Sequence, residues 1–180
     1  MPCPLIIMTT ISFPQRKSPR LQGYDYTQNG AYFITICAYK RQHLFGAISD
    51  DEMGLNTLGC IAQTCWEELP MHFAKAELDA FVIMPNHVHG ILVIIDETKR
   101  NKYRFEQFSN PIAQSLSTMI RSYKSAVTKQ INQLLMTDNT PVWQGRFHDH
   151  IIRSERSLNV LREYVANNPA RWSVDRFYNT

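Results

Sequence analysis

The sequence has little of what marks a secreted, membrane-bound or nucleotide-hydrolysing chain. Its four cysteines, Cys3, Cys37, Cys60 and Cys65, form no CxxC pair. With no secretory context they read as free thiols, Cys37 in an apolar strand-like run and Cys60 and Cys65 in a helix-like one, all expected to be buried. The opening MPCPLIIMTTIS has no basic region and too short an apolar run for a signal or membrane helix, so the expected location is cytoplasmic. Internal repeats, low-complexity tracts and a glycine-rich phosphate loop are all missing. Net charge is small as well, at +3.

That small total hides a division. Between Lys99 and Lys129 seven bases (Lys99, Arg100, Lys102, Arg104, Arg121, Lys124, Lys129) face Glu106 alone, and between Arg16 and Arg41 five bases face Asp25. Seven carboxylates gather in residues 50–79 against Lys75. A basic side and an acidic side suggest a polyanionic partner on one face, with solvated helix faces as the plain alternative.

What is present is the composition of a globular domain: 180 residues, 44% hydrophobic and 11% aromatic, enough for one domain with a real core. Residues 1–19 hold four prolines and no periodicity and are expected to be a flexible leader to a single domain at 20–180. The stretch around which that domain is organised is FVIMPNHVHGILVII, residues 81–95. Two β-branched, apolar runs are broken by a Pro85-Asn86 turn signal. On a strand, alternate side chains share a face, so His87 and His89 point one way and Val88 the other. Apolar residues follow on both faces, which predicts a central, doubly covered strand with two imidazoles at its mouth.

The other segments follow in order. RLQGYDYTQNG (20–30) reads as a turn-rich lead-in, AYFITICAYK (31–40) as a strand and GAISDDEMGLN (46–56) as a hairpin. Asn56 is a candidate N-cap for a helix carrying Leu58, Ile61, Cys65, Trp66 and Leu69 inward and limited by Pro70. Leu78–Met84 is a further strand. After the basic connector at 96–110, Pro111 suits the first turn of a long helix with an inward stripe of Leu116, Ile120, Tyr123, Val127, Ile131 and Leu134. VWQGRFHDHIIR (142–153) is extended and interrupted at Gly145. Ser154 caps a last helix with Leu158, Leu161 and Val165 inward, stopped by Asn167-Asn168-Pro169. The expected fold class is α+β, with a largely antiparallel sheet packed against two or three helices.

On that last helix Tyr164 and Asn168 are four apart and so lie about 40° apart on one flank. Set against His87 and His89, they would offer two imidazole nitrogens and an amide oxygen to a divalent cation, with a phenol alongside. The plain alternatives are strand-end histidines bonded to backbone, a half-buried aromatic and a helix-ending asparagine. His148-Asp149-His150 is a rival His-x-His, ranked below because its middle residue is not apolar. Arg146 and Arg153 are candidate DNA contacts, as is Trp143 unless it is core. Arg20, Tyr24 and Tyr26 are candidates for reading a single strand by stacking and hydrogen bonding, unless they simply pack a turn.

These residues stand in motifs that resemble a known family. MPNHVHG is similar to the His-hydrophobic-His ("HUH") motif of single-tyrosine transposases. REYVANNP resembles the tyrosine helix of their REP-associated branch, and RLQGYDYTQNGAYFITICAYKRQHLFG, SLSTMIRSYKSAVTKQIN and PVWQGRF resemble its remaining segments. The resemblance runs from about Arg16 to Trp172 and rests on the ordered set rather than on His-x-His alone. It implies a ferredoxin-like sheet and a metal-dependent nickase of single-stranded DNA, with Tyr164 as nucleophile and His87, His89 and Asn168 as metal ligands. It also implies a hairpin DNA substrate with a short single-stranded flank; Arg121 and Lys124, off the buried stripe of the long helix, join Arg146 and Arg153 as candidate contacts to such DNA. Relatives of the insertion-sequence type typically have glutamine where Asn168 stands. A monomer is favoured, with a dimer exchanging tyrosine helices as the alternative. Imidazole-rich ligation predicts that Mn²⁺ serves at least as well as Mg²⁺. The competing functions are a hairpin-binding protein that no longer cuts and, more distantly, a metal-dependent hydrolase without a covalent step.

Overall fold

A computed structural model describes residues 24–95 and 113–178. The expected leader, Cys3, Arg20, the basic connector at 96–110 and Pro111 lie outside the described residues. Among those described, the strands are β1 (Gly30–Cys37), β2 (Gly46–Ser49), β3 (Glu52–Leu55), β4 (Ala76–Met84), β5 (His87–Ile94) and β6 (His148–Ile152). The helices are α1 (Thr57–Glu67), α2 (Leu69–His72), α3 (Leu116–Leu134) and α4 (Glu155–Ala166). One antiparallel sheet has the order β4-β5-β1-β6, and β2-β3 form a separate hairpin. The chain runs from β1 through α1 to β4, back along β5, and through α3 to β6. This is the ferredoxin-like β-α-β-β-α-β arrangement, with β1 and β5 in the middle.

The sheet has two unlike faces. One carries Tyr32, Ile34, Ile36, Val88, Leu92 and Ile94 into the main core, where Trp66 of α1 and Met119, Ile120, Tyr123 and Val127 of α3 cover them. The other carries His87 and His89 in register with Cys37 and Thr35 of β1 and with Met84 and Val82 of β4. It is covered by α4 and by the 3-10 helix Pro169–Val174 with the residues after it; Trp172 and Phe177 pack there with Cys37 and Met84. The central, doubly covered strand expected from the sequence is β5.

Two irregularities make this possible. In β4 the register shifts between Leu78 and Phe81, so Asp79 and Ala80 together oppose Ile91. The extra residue keeps Leu78 and Phe81 both on the main-core face, and Phe81 lies near Trp66, with ring centroids 6.2 Å apart. In β5, Gly90 is the place where Trp66 lies on the sheet: a Cβ there would meet indole Cζ2 at 2.3 Å.

Caps read from the sequence hold. Asn56 accepts from Gly59 N–H at 2.9 Å and Ser154 from Ser157 N–H at 3.2 Å. Other expectations are corrected. Pro70 opens α2 rather than ending helical structure, because proline is tolerated in a first turn. The long helix starts after Ser115, whose hydroxyl accepts from Thr118 N–H. Leu134 at its end is half exposed and Cys60 is exposed, whereas Cys37 and Cys65 are buried thiols.

The contact at Gly90 yields a prediction. Gly90→Ala forces a large rigid ring off the sheet and should cost about 1–3 kcal/mol, as overpacking of a filled core does. Urea unfolding would read this as a lower midpoint at unchanged slope; an unmoved midpoint would mean that Trp66 lifts away freely.

Candidate metal and nucleophile site

His87 and His89 have no exposed surface, and their rings are 4.5 Å apart. Each has its Nδ1 occupied. His87 Nδ1 lies 2.8 Å from Asn86 Oδ1, and His89 Nδ1 lies 2.9 Å from Thr35 Oγ1. The Asn86 amide cannot be turned round, because its Nδ2 donates to the Phe177 carbonyl at 2.9 Å and to the Arg41 carbonyl at 3.4 Å. Its Oδ1 only accepts, so His87 Nδ1 carries the hydrogen and Nε2 is left with the lone pair. A ring held through one nitrogen by a neighbouring acceptor is how proteins orient a metal-binding imidazole.

Asn86 can do this because of an unusual turn. The β2-β3 hairpin turns through Asp50 and Asp51 with φ of 51° and 63°, the left-handed pair that matches strand twist. Between β4 and β5, neither Pro85 nor Asn86 has positive φ. Tertiary bonds hold this turn instead: Phe45 N–H donates to the Pro85 carbonyl at 3.1 Å and Ala38 N–H to the Asn86 carbonyl at 2.8 Å.

Helix α4 brings the phenol to the imidazoles of the same chain. Tyr164 Oη is 3.3 Å from His89 Nε2, and its ring stands edge-on to Phe33 and His89. The helix is tied to the sheet at the β4 bulge, where the Arg162 guanidinium grips Asp79 through Nε–Oδ1 at 2.8 Å and Nη2–Oδ2 at 2.5 Å. That hydrogen-bonded guanidinium holds the Asp79 carboxyl below the usual carboxylate range. One turn past Tyr164, Asn168 is buried and donates through Nδ2 to Asp175 Oδ2 at 3.1 Å. Tyr164 Oη also donates to that oxygen, at 3.4 Å.

Asn168 Oδ1 and His87 Nε2 are both buried and make no well-formed hydrogen bond within the protein. Leaving buried polar atoms unmet is costly, so two such orphans in one site call for an explanation. A divalent cation fits: two imidazole nitrogens and an amide oxygen are neutral donors that Mn²⁺ or Mg²⁺ would take. One ligand atom each from His87, His89 and Asp175 also lie within 4.8 Å of one another.

Electrostatics keeps the imidazoles in the ligand form. Burial drives the His87 pKa down to about 4, with the Asp175 charge opposing it and Arg176 adding to it. Burial and then the neighbouring His87 hold His89 well below the ordinary histidine value. Both rings are neutral at pH 7, so no proton competes for the lone pairs. Burial, and next the Asp175 charge, raise the Tyr164 phenol above its ordinary value. Unaided, it is a poor nucleophile.

Other expected residues fall elsewhere. Tyr26 is buried against Tyr24 and Tyr32, with centroids at 5.0 and 6.0 Å, so it packs a turn and offers no face to a base; Tyr24 is half-buried. Arg121, Arg146 and Arg153 are exposed. Lys124 is largely engaged, its ammonium donating to the Gln144 and Gly145 carbonyls at 2.7 and 3.2 Å. Arg121, Lys124 and Lys129 line a groove of about 970 Å³ with Gln144 and Gly145, on the layer opposite Tyr164. Trp143 is core. His148 and His150 are exposed on edge strand β6, paired with Thr35 and Phe33 and so on the same sheet face as His87 and His89. Sequence reasoning misses Asp175, Thr35 and the orienting role of Asn86, which on sequence reads only as a turn former. Asn86 had a signal in its place beside His87; Asp175 lies in a tail without periodicity.

No family model matches the chain. An uncharacterized protein of Haemophilus influenzae is 39% identical over 169 residues, covering 91% of this chain and 93% of its own length. A second Haemophilus influenzae protein, provisionally named a REP-associated tyrosine transposase, is 24% identical over 147 residues, covering 82% of this chain and 74% of its own. Among solved structures, a REP-associated tyrosine transposase bound to a REP hairpin aligns at 18% identity with a TM-score of 0.57, covering 88% of this chain and 74% of that one.

Two predictions follow from the buried imidazoles. In chelator, His87 stays neutral in the folded protein down to about pH 4, while in the unfolded chain it titrates near ~6.5. The unfolded state therefore binds more protons in that window, so this contribution to stability is whole above ~6.5 and is lost as pH falls towards 4. Urea midpoints measured from pH 8 to pH 4 should fall with acid and fall less in His87→Gln; a flat profile in the parent protein would mean charged imidazoles in the fold. Asn86→Ala leaves the His87 N–H and the Phe177 carbonyl without their partner and should cost about 1–3 kcal/mol in the same assay; an unmoved midpoint would mean that water replaces the amide.

Proposed function

We propose that the chain belongs to the family of REP-associated tyrosine transposases, the name carried by a relative 24% identical to it, and infer the activity from that premise. The proposed function is nicking and rejoining of single-stranded DNA at hairpin sequences through a 5′-phosphotyrosine. The observation that carries this reading is the approach of a nucleophile to prepared ligands: Tyr164 Oη stands 3.3 Å from His89 Nε2, beside the unmet His87 Nε2 and Asn168 Oδ1. A structural relative is bound to a REP hairpin, which supports hairpin DNA as the substrate class.

His87, His89 and Asn168 would hold the cation. When bound, Mg²⁺ or Mn²⁺ supplies charge neutralisation at the non-bridging oxygens of the scissile phosphate. Tyr164 is held in place by the Arg162–Asp79 tie and by Phe33, so its oxygen can attack in line. The Tyr164 Oη–P bond forms as the P–O3′ bond breaks. The phenolic proton is lost to water, and the departing 3′-oxygen takes up a proton. One phosphodiester replaces another, so a free 3′-hydroxyl can reverse the step without ATP. The basic groove along α3 lies on the opposite layer, so it suits a duplex stem whose single-stranded flank reaches round to Tyr164. The expected preference is for Mn²⁺ at least as much as Mg²⁺.

Tyr164→Phe is the decisive variant. Incubated with single-stranded hairpin DNA and Mn²⁺, the parent protein should give a denaturation-resistant protein–DNA adduct. The variant should lose both adduct and cleavage, by at least ~10³-fold, as expected when an attacking group is removed, while retaining hairpin binding in a gel-shift assay. Cleavage that persists in the variant would point to hydrolysis by water. A parent protein that binds the hairpin but never cuts would leave a binding protein.

A further inference from the structure

We propose that Asp175, on the segment after the last helix, is a fourth protein donor to the cation, so that the site is a His₂-Asn-Asp set closed by the C-terminal tail. This deepens the proposed function and rests on its metal site at His87, His89 and Asn168.

The tail brings the carboxylate in by a defined path. After α4, the 3-10 helix Pro169–Val174 carries Trp172 onto the imidazole face, where its ring centroid lies 6.0 Å from that of His87. The chain then doubles back, and Phe177 packs on both imidazoles at 4.7 and 5.7 Å. Asp175 sits between these two anchors. Its Oδ1 accepts from Phe177 N–H at 2.6 Å, which fixes the rotamer. Its Oδ2 faces inward, accepting from Asn168 Nδ2 and from Tyr164 Oη. The Phe177 carbonyl in turn accepts from Asn86 Nδ2, so the tail is stitched to the residue that orients His87.

Two arguments make this carboxylate a donor to the cation. Geometrically, a ligand atom of Asp175 lies within 4.8 Å of one from each histidine; among the described residues this is the group of histidine, cysteine and acidic side chains so placed. Chemically, His87, His89 and Asn168 are all neutral, and a site with no anionic ligand holds a hard dication weakly; one carboxylate supplies the missing charge. The state of Asn168 agrees, because Nδ2 is taken up by Asp175 while Oδ1 stays buried with its lone pairs unmet.

The test is Mn²⁺ binding to the full chain without DNA, by titration calorimetry, in the parent protein, Asp175→Asn and Asp175→Glu. Asp175→Asn should weaken binding about 10–100-fold or more, and Asp175→Glu, which keeps the charge, should retain most of it. The Mn²⁺-induced rise in Tm should shrink in parallel, while metal-free Tm values report whether each variant folds. Equal Mn²⁺ affinity in folded Asp175→Asn and parent overturns this inference alone and leaves the nicking reading standing. A parent protein that binds no Mn²⁺ overturns both. If Asp175→Asn does not fold, Asp175→Ser is read in its place: weakened Mn²⁺ binding in the folded serine variant supports the donor, and unchanged affinity together with an unchanged Tm shift overturns it.

Discussion

Two uncharged imidazoles buried side by side are the constraint on which the other features depend. An isolated histidine in an apolar interior is neutral and needs a partner for each nitrogen. Here each Nδ1 has one, from Asn86 and from Thr35, while the outward nitrogens converge on a region shared with Asn168 and Tyr164. A scaffold indifferent to chemistry would fill such a place with leucine. The sheet instead spends its central strand on it, and Asn86 holds the His87 imidazole in one tautomeric form.

The division of labour between the faces explains how a small domain tolerates this. The main core lies on the other face of the sheet, where Trp66 and Tyr123 meet edge to face at 5.1 Å and α1 and α3 close over Tyr32, Ile34, Ile36 and Leu92. Burial there supplies the bulk of the hydrophobic stabilisation. The imidazole face has a smaller apolar cluster of Cys37, Met84, Trp172 and Phe177, of which Trp172 and Phe177 lie against the histidine rings. Strand alternation is what lets one element serve both ends, since Val88 belongs to the core and its two neighbours to the chemistry.

Much of this was legible in the sequence because it rests on local rules. Period-two alternation put His87 and His89 on one face, helical spacing put Tyr164 with Asn168, and Asn56 and Ser154 announced their helices. The parts that escaped are those fixed by long-range pairing. Tyr26 looks like an exposed turn aromatic until Tyr24 and Tyr32 close round it. Lys124 reads as a surface cation, yet its ammonium is occupied by two carbonyls twenty residues on. The bulge at Asp79 has no sequence mark, because its purpose is to meet Arg162 from a helix 83 residues later.

Asn86 shows how far the two levels are entangled. Proline before it forbids the left-handed turn that would suit an independent hairpin, and the connection between β4 and β5 is hydrogen-bonded to Ala38, Phe45, Arg41 and Phe177 instead. Those partners come from the segment after β1 and from the C-terminal tail. The orientation of His87 is thus decided by whether distant parts of the chain have docked, and a turn stable by itself would not have carried that information. The Asn86 amide links docking of the tail to the orientation of His87.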